Sequence, residues 1–195
     1  MEWEWMMRIL CLLAGVLFGS SGYWARGLVH HIPAGGENRL PHRANNTSRA
    51  APLVTDTLKT ALACGLCYGF LAPELKEEAI LYAGAGVVLG HLVAEWKKGT
   101  AARLAAVVCT WIVLYLPITG VVCTLAGLTV ALGTGRSHWG MALVPALAIP
   151  VAWLQFGWQS SLFMLAAFLL LAVRGKTAPS GKDAEKDPAP QYKKI

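Results

Sequence analysis

Residues 52–73, PLVTDTLKTALACGLCYGFLAP, carry Asp56 and Lys59, the one acid–base pair set inside a long hydrophobic segment of this sequence. A charge at membrane depth costs about 2.5–3.5 kcal/mol or more unless it is paired or faces a wet cavity. At i and i+3 on a helix the two side chains share a face and can neutralise each other. Two readings follow: a local pair satisfied near a membrane surface, or a face that lines a polar site. Other reactive side chains offer less. Cys11, Cys64, Cys67, Cys109 and Cys123 all fall in apolar runs, and their odd number argues against a disulfide framework. The Cys64-x-x-Cys67 pair has no second pair or neighbouring histidine to complete a zinc site, and His30, His31 and His42 match no ligand spacing.

The elements that must position Asp56 and Lys59 are set by hydropathy. Of 195 residues, 55% are hydrophobic and 14% charged, against about 25% charged in an average soluble domain. The apolar residues come in blocks near bilayer-spanning length: residues 6–24, 52–73, 79–95, 104–116, 120–132, 139–155 and 158–173. The expected fold is all-α, a polytopic membrane bundle of about seven transmembrane helices. Residues 1–175 form its membrane domain, and residues 176–195 a solvated, disordered tail rich in Lys, Asp, Pro, Gly and Ser. The fifth block is short for an untilted crossing and reads as tilted or partly re-entrant; Pro145 and Pro150 are kink positions in the sixth.

Charge orients the bundle. With the N-terminus outside, segments 26–51, 96–103, 133–138 and the tail face inward. Only Arg8, Lys59 and Lys76 lie elsewhere, so 14 of the 17 basic residues are inside, as the positive-inside rule requires. The net charge of +6 therefore needs no nucleic-acid partner. Segment 26–51 leads into Asp56 and Lys59, and segment 96–103 (WKKGTAAR) follows His91. Arg, Lys, Asn, Ser and Gly gathered at the cytoplasmic surface suit a phosphate-bearing ligand: cations supply charge, and glycine exposes backbone N–H groups. Anionic lipid headgroups would meet the same charges.

Several short motifs occur in a telling order. Gly19-Ser20 followed by Gly22-Tyr23 is similar to G-S-x-P-x-G-Y at the end of a first span. Ala44-Asn45-Asn46-Thr47-Ser48-Arg49 is similar to A-T-N-x-x-R, and Asp56-Thr57-Leu58-Lys59 to D-x-x-K. Gly90-His91 corresponds to a G-H before a second cytoplasmic loop, and Lys98-Gly99 to what remains of K-G-G-K-G. Over about residues 15–125 the chain thus resembles the bacterial acyl-phosphate glycerol-3-phosphate acyltransferases, seven-span inner-membrane enzymes that begin phospholipid synthesis. It departs from their pattern in having one glycine in the phosphate loop where the family has three, and in ending its last span with Ala172-Val173-Arg174-Gly175.

The resemblance implies an enzyme of the bacterial inner membrane, N-terminus outside and C-terminus cytoplasmic. Its partners would be acyl phosphate, glycerol-3-phosphate and the bilayer. Acyl phosphate would bind Lys97, Lys98 and Gly99, while Arg49 with Asn46, and Ser20, would help hold substrate. Asp56, Lys59 and His91 would be the catalytic group, Asp56 either orienting Lys59 or accepting a hydrogen bond from substrate. The 1-hydroxyl of glycerol-3-phosphate attacks the acyl carbonyl, giving lysophosphatidic acid and inorganic phosphate. A mixed anhydride is already activated, so the resemblance implies no metal, cofactor or covalent enzyme nucleophile. The residues also leave open a small multi-pass protein without catalysis that binds lipid or a partner.

Overall fold

The computed structural model describes residues 2–29, 46–95, 101–134 and 137–177. Among these, seven helices build an all-α bundle: α1 (Glu2–Val29), α2 (Asn46–Leu66), α3 (Glu77–Glu95), α4 (Ala101–Tyr115), α5 (Pro117–Thr134), α6 (Ser137–Phe156) and α7 (Trp158–Thr177). Four contain stretches long and apolar enough to cross a bilayer: Trp3–Ser21, Glu77–Ala94, Pro117–Thr134 and Trp139–Phe156. The apolar parts of α4 and α7, Ala102–Tyr115 and Trp158–Arg174, are shorter, and the apolar run of the continuous helix α2 is interrupted by Asp56 and Lys59.

Helix ends differ from the hydropathy blocks for local reasons. Pro117 opens α5, where its missing N–H costs nothing, so the fifth element is an 18-residue helix rather than the short segment expected from Gly120. The second block is not one uninterrupted helix. After Leu66 a π-helical turn, Cys67–Leu71, widens the backbone, with the Ala72 N–H bonded to the Cys67 carbonyl at 2.9 Å. Pro73 then lacks the donor needed to continue. Gly157, in the left-handed region at φ 84°, closes α6 and lets α7 begin at once. Glu77 and Glu78 occupy the first turn of α3, where the helix dipole favours acids.

Contact between α1 and α3 runs backbone to backbone. A Cβ on Gly15 would come within 2.1 Å of the Ala83 carbonyl oxygen, and one on Gly19 within 2.3 Å of that of Val87. From the other side, a Cβ on Gly86 would meet the Leu12 carbonyl and one on Gly90 the Val16 carbonyl. Small residues four apart on both helices give this close approach, as in membrane helix pairs generally. Because later residues of α1 meet later residues of α3, the two helices run parallel, and α2 returns between their ends.

The centre of the bundle is α3 and α4, through Leu81, Val87, Val88, Val107, Val108, Trp111 and Ile112. Large apolar side chains point the other way: Phe70, Ile118 and Leu154 are each more than four-fifths exposed. A surface this apolar is matched by lipid rather than water. At one end Arg8 of α1 binds Glu78 of α3 (Nη2–Oε2 2.9 Å) and stacks over Trp5. Tyr82 of α3 accepts a hydrogen bond from Gln159 of α7, and Tyr115 of α4 bonds Ser160 at 2.7 Å. These links tie α1, α3, α4 and α7 together at the end opposite Asp56.

Candidate active site

Asp56 sits ten residues into α2 and is buried, 3% exposed. A buried carboxylate needs a partner, and it finds one across the bundle. Arg103 of α4 donates from Nε to Oδ2 at 2.7 Å and from Nη2 to Oδ1 at 3.0 Å, the two-pronged geometry that makes guanidinium–carboxylate pairs strong. Thr60, wholly buried one turn on, donates its hydroxyl to the Asp56 carbonyl at 2.8 Å. The local pair allowed by the i, i+3 spacing is not the one formed: among the described residues Lys59 makes no ion pair, and it lies half-buried on α2.

Ser20 and His91 are brought together by the glycine contact. A Cβ on Gly19 would lie 2.9 Å from the His91 nitrogen, and one on Gly90 3.0 Å from the Ser20 nitrogen, so the two backbones touch where these residues stand. His91 is buried, and Ser20 is half-buried with its hydroxyl donated to the Leu17 carbonyl at 3.2 Å. The parallel run of α1 and α3 puts Ser20 and His91 toward the end of the bundle where α2 and α4 begin, the end that holds Asp56 and Arg103. Asn46 and Arg49 lie in the first turns of α2, their side chains outside the described residues. Lys97, Lys98 and Gly99 lie outside the described residues, as do segment 30–45 and the tail from residue 178.

Arg103 is the member that sequence reading passed over, because WKKGTAAR reads as one basic loop. Its signal was present in helical spacing: Arg103, Val107 and Trp111 fall at i, i+4 and i+8, one face of a helix. That face turns inward, since Val107 and Trp111 are each 1% exposed. The cysteines behave as core residues: all five are free and buried. Among the described residues no three His, Cys, Asp or Glu side chains converge as metal ligands.

These features define a multi-pass helical membrane protein with a buried ion pair, a histidine and a serine at one end of its bundle. The chain belongs to the glycerol-3-phosphate acyltransferase family, whose sequence model matches residues 35–178. It is 31% identical over 183 residues to glycerol-3-phosphate acyltransferase 1 of Rhizobium johnstonii (strain DSM 114642 / LMG 32736 / 3841), covering 88% of this chain and 86% of the relative. It is 30% identical over 118 residues to glycerol-3-phosphate acyltransferase 1 of Lactobacillus johnsonii (strain CNCM I-12250 / La1 / NCC 533), a match spanning 54% of this chain and 57% of that protein's length. No solved structure gave a significant match.

Proposed function

We propose that this protein transfers an acyl group from acyl phosphate to the 1-hydroxyl of glycerol-3-phosphate, yielding lysophosphatidic acid and inorganic phosphate. It works as a seven-span protein of the bacterial inner membrane, N-terminus outside and C-terminus cytoplasmic. Residues 1–175 are the acyltransferase domain and 176–195 a cytoplasmic tail. The reading rests on one observation above others: the family match spans residues 35–178, the range that contains Asn46, Arg49, Asp56, Lys59, His91, Lys97, Lys98 and Gly99.

The chemistry asks little of the protein beyond placement and charge. The hydroxyl oxygen bonds to the acyl carbon, the carbon–oxygen bond to phosphate breaks, and the hydroxyl proton leaves with the phosphate or through a nearby base. His91 and Lys59 are the groups proposed to handle that proton and the developing negative charge. Lys97, Lys98 and Gly99 receive the leaving phosphate; Arg49 and Asn46 hold glycerol-3-phosphate, with Ser20 at the rim. Holding two anionic substrates in line, in a site of low dielectric, is worth many orders of magnitude in rate.

The deciding experiment is phosphate release by purified protein given acyl phosphate and glycerol-3-phosphate. Turnover that requires both substrates and drops in the Lys98→Ala variant is the expected result. Absence of turnover above that variant would leave the non-catalytic reading.

A further inference from the structure

A groove of about 140 Å³ lies between α3, α4 and α7, lined among others by Ala85, Val88, Trp111, Phe163, Ala166 and Leu170. Its lining is hydrocarbon apart from the indole N–H of Trp111, which is buried and has no acceptor among the described residues. A surface without charge or acceptors excludes a phosphate or a headgroup and suits an alkyl chain. Leu89 and Ala166 at its lip are exposed, so the groove opens sideways to lipid. Toward the Arg8–Glu78 end it is shut: the Tyr82 ring stands edge-on to that of Phe163, centroids 5.5 Å apart, and the Tyr82 hydroxyl accepts a hydrogen bond from Gln159.

Toward the Asp56 end the walls of the groove lead to the candidate site. Val88 is one turn from His91 on the same face of α3, and Trp111 two turns from Arg103 on the same face of α4. The helical rise sets these lining residues about 5 Å and about 12 Å along the axis from His91 and Arg103. A ligand with its polar head at that end and a hydrocarbon tail lays the tail along both faces toward Phe163. A dry cavity of about 150 Å³ holds one benzene, so this groove seats about six carbons, only part of a long chain. Membrane lipid is as apolar as the lining, so burial by itself supplies no preference; fit does, because dispersion contacts are lost across a small gap. We infer that the groove seats the distal part of the acyl chain being transferred and that Phe163, backed by Tyr82, sets the chain length accepted. The donor in this inference rests on the acyltransferase reading; the hydrocarbon class follows from the lining and from what stands at its two ends.

The test uses the full chain in phospholipid nanodiscs and a series of saturated acyl phosphates from short to long. Ala166→Phe fills the groove from its exposed lip, where the added ring meets lipid and the fold is spared. It should lower the ratio of kcat/KM for long over short chains by about tenfold. Phe163→Ala removes the stop and should move the preferred length upward. Turnover with the same length preference in all three proteins overturns the inference and leaves the proposed reaction standing. A second readout needs no turnover: a non-hydrolysable acyl phosphonate carrying a diazirine at the end of its chain, cross-linked by light and mapped by mass spectrometry. Label should fall on the peptides that hold Trp111 and Phe163, be displaced by unlabelled acyl phosphonate, and be lost in Ala166→Phe. That pattern without turnover keeps the chain site while the proposed reaction falls. Label elsewhere, or label that unlabelled acyl phosphonate does not displace, means that bilayer lipid fills the groove and overturns the inference.

Discussion

Gly86 of α3 and Gly15 of α1 meet with no side chain between them: a Cβ on Gly86 would stand 3.0 Å from the Gly15 Cα and 2.2 Å from the Leu12 carbonyl oxygen. Backbone cannot yield as the end of a flexible side chain can, so Gly86→Ala forces α1 and α3 apart. The expected loss is about 1–3 kcal/mol, the usual cost of overpacking, read as a lowered unfolding temperature in detergent. Gly65 of α2 is the control, since a Cβ there meets nothing within 4 Å. Alanine is the better helix former by about 1 kcal/mol, so Gly65→Ala should leave stability unchanged or raised. Equal losses at the two positions would mean that the glycine contact does not set this interface.

A double-mutant cycle tests the buried pair. Arg103→Met leaves the Asp56 carboxylate buried without its partner, which costs about 3–5 kcal/mol when an ion pair is fully buried and less here because Arg103 is partly exposed. Asp56→Asn should be milder, since the amide can still accept one guanidinium bond. Combined, the two should cost clearly less than their sum, with a coupling of about 1.5–3 kcal/mol. Strict additivity, measured by equilibrium unfolding, would mean that the pair contributes nothing to folding.

That pair also shows how far the sequence could be read. Composition and block lengths sufficed for an all-α membrane bundle, because in lipid the backbone must satisfy itself within each helix. The pairing of Asp56 was not legible. Spacing along one helix offered Lys59, whereas the partner comes from 47 residues away, and only the packing of α2 against α4 decides between them. The boundary of α4 was hidden for a related reason: charge in Lys97, Lys98 and Arg103 masks the helical phase that Arg103 shares with Val107 and Trp111. By contrast, Gly19-Ser20 and Gly90-His91 were visible as motifs, but their meeting depends on a parallel helix contact that no single stretch encodes.

Lys59 and Asp56 should separate in their effects. Lys59 is half-buried and makes no ion pair among the described residues, so Lys59→Met should shift the unfolding temperature little. If Lys59 acts on substrate as proposed, the same substitution should lower kcat/KM for phosphate release at least tenfold, about 1.4 kcal/mol of lost transition-state stabilisation. Asp56→Asn should instead lower both stability and rate. A Lys59→Met protein with unchanged kcat/KM would remove this lysine from the site.

Topology can be tested because the native cysteines are all buried, which keeps background labelling low. Lys76 is exposed in the turn before α3, at the end of the bundle that carries the Arg8–Glu78 pair. In the proposed orientation that end faces outward, and Ser180 of the tail lies in the cytoplasm. A membrane-impermeant maleimide added to intact cells should therefore label Lys76→Cys and spare Ser180→Cys, while permeabilised cells should show both labelled. The basis is the asymmetry of charge: the segments that this orientation would place in the cytoplasm hold 14 of the 17 basic residues, and positive loops are retained inside. Labelling of Ser180→Cys from outside, with Lys76→Cys protected, would invert the bundle. The end of the bundle that holds Asp56, Arg103, Ser20 and His91 would then face away from the cytoplasm, and with it from the proposed substrate.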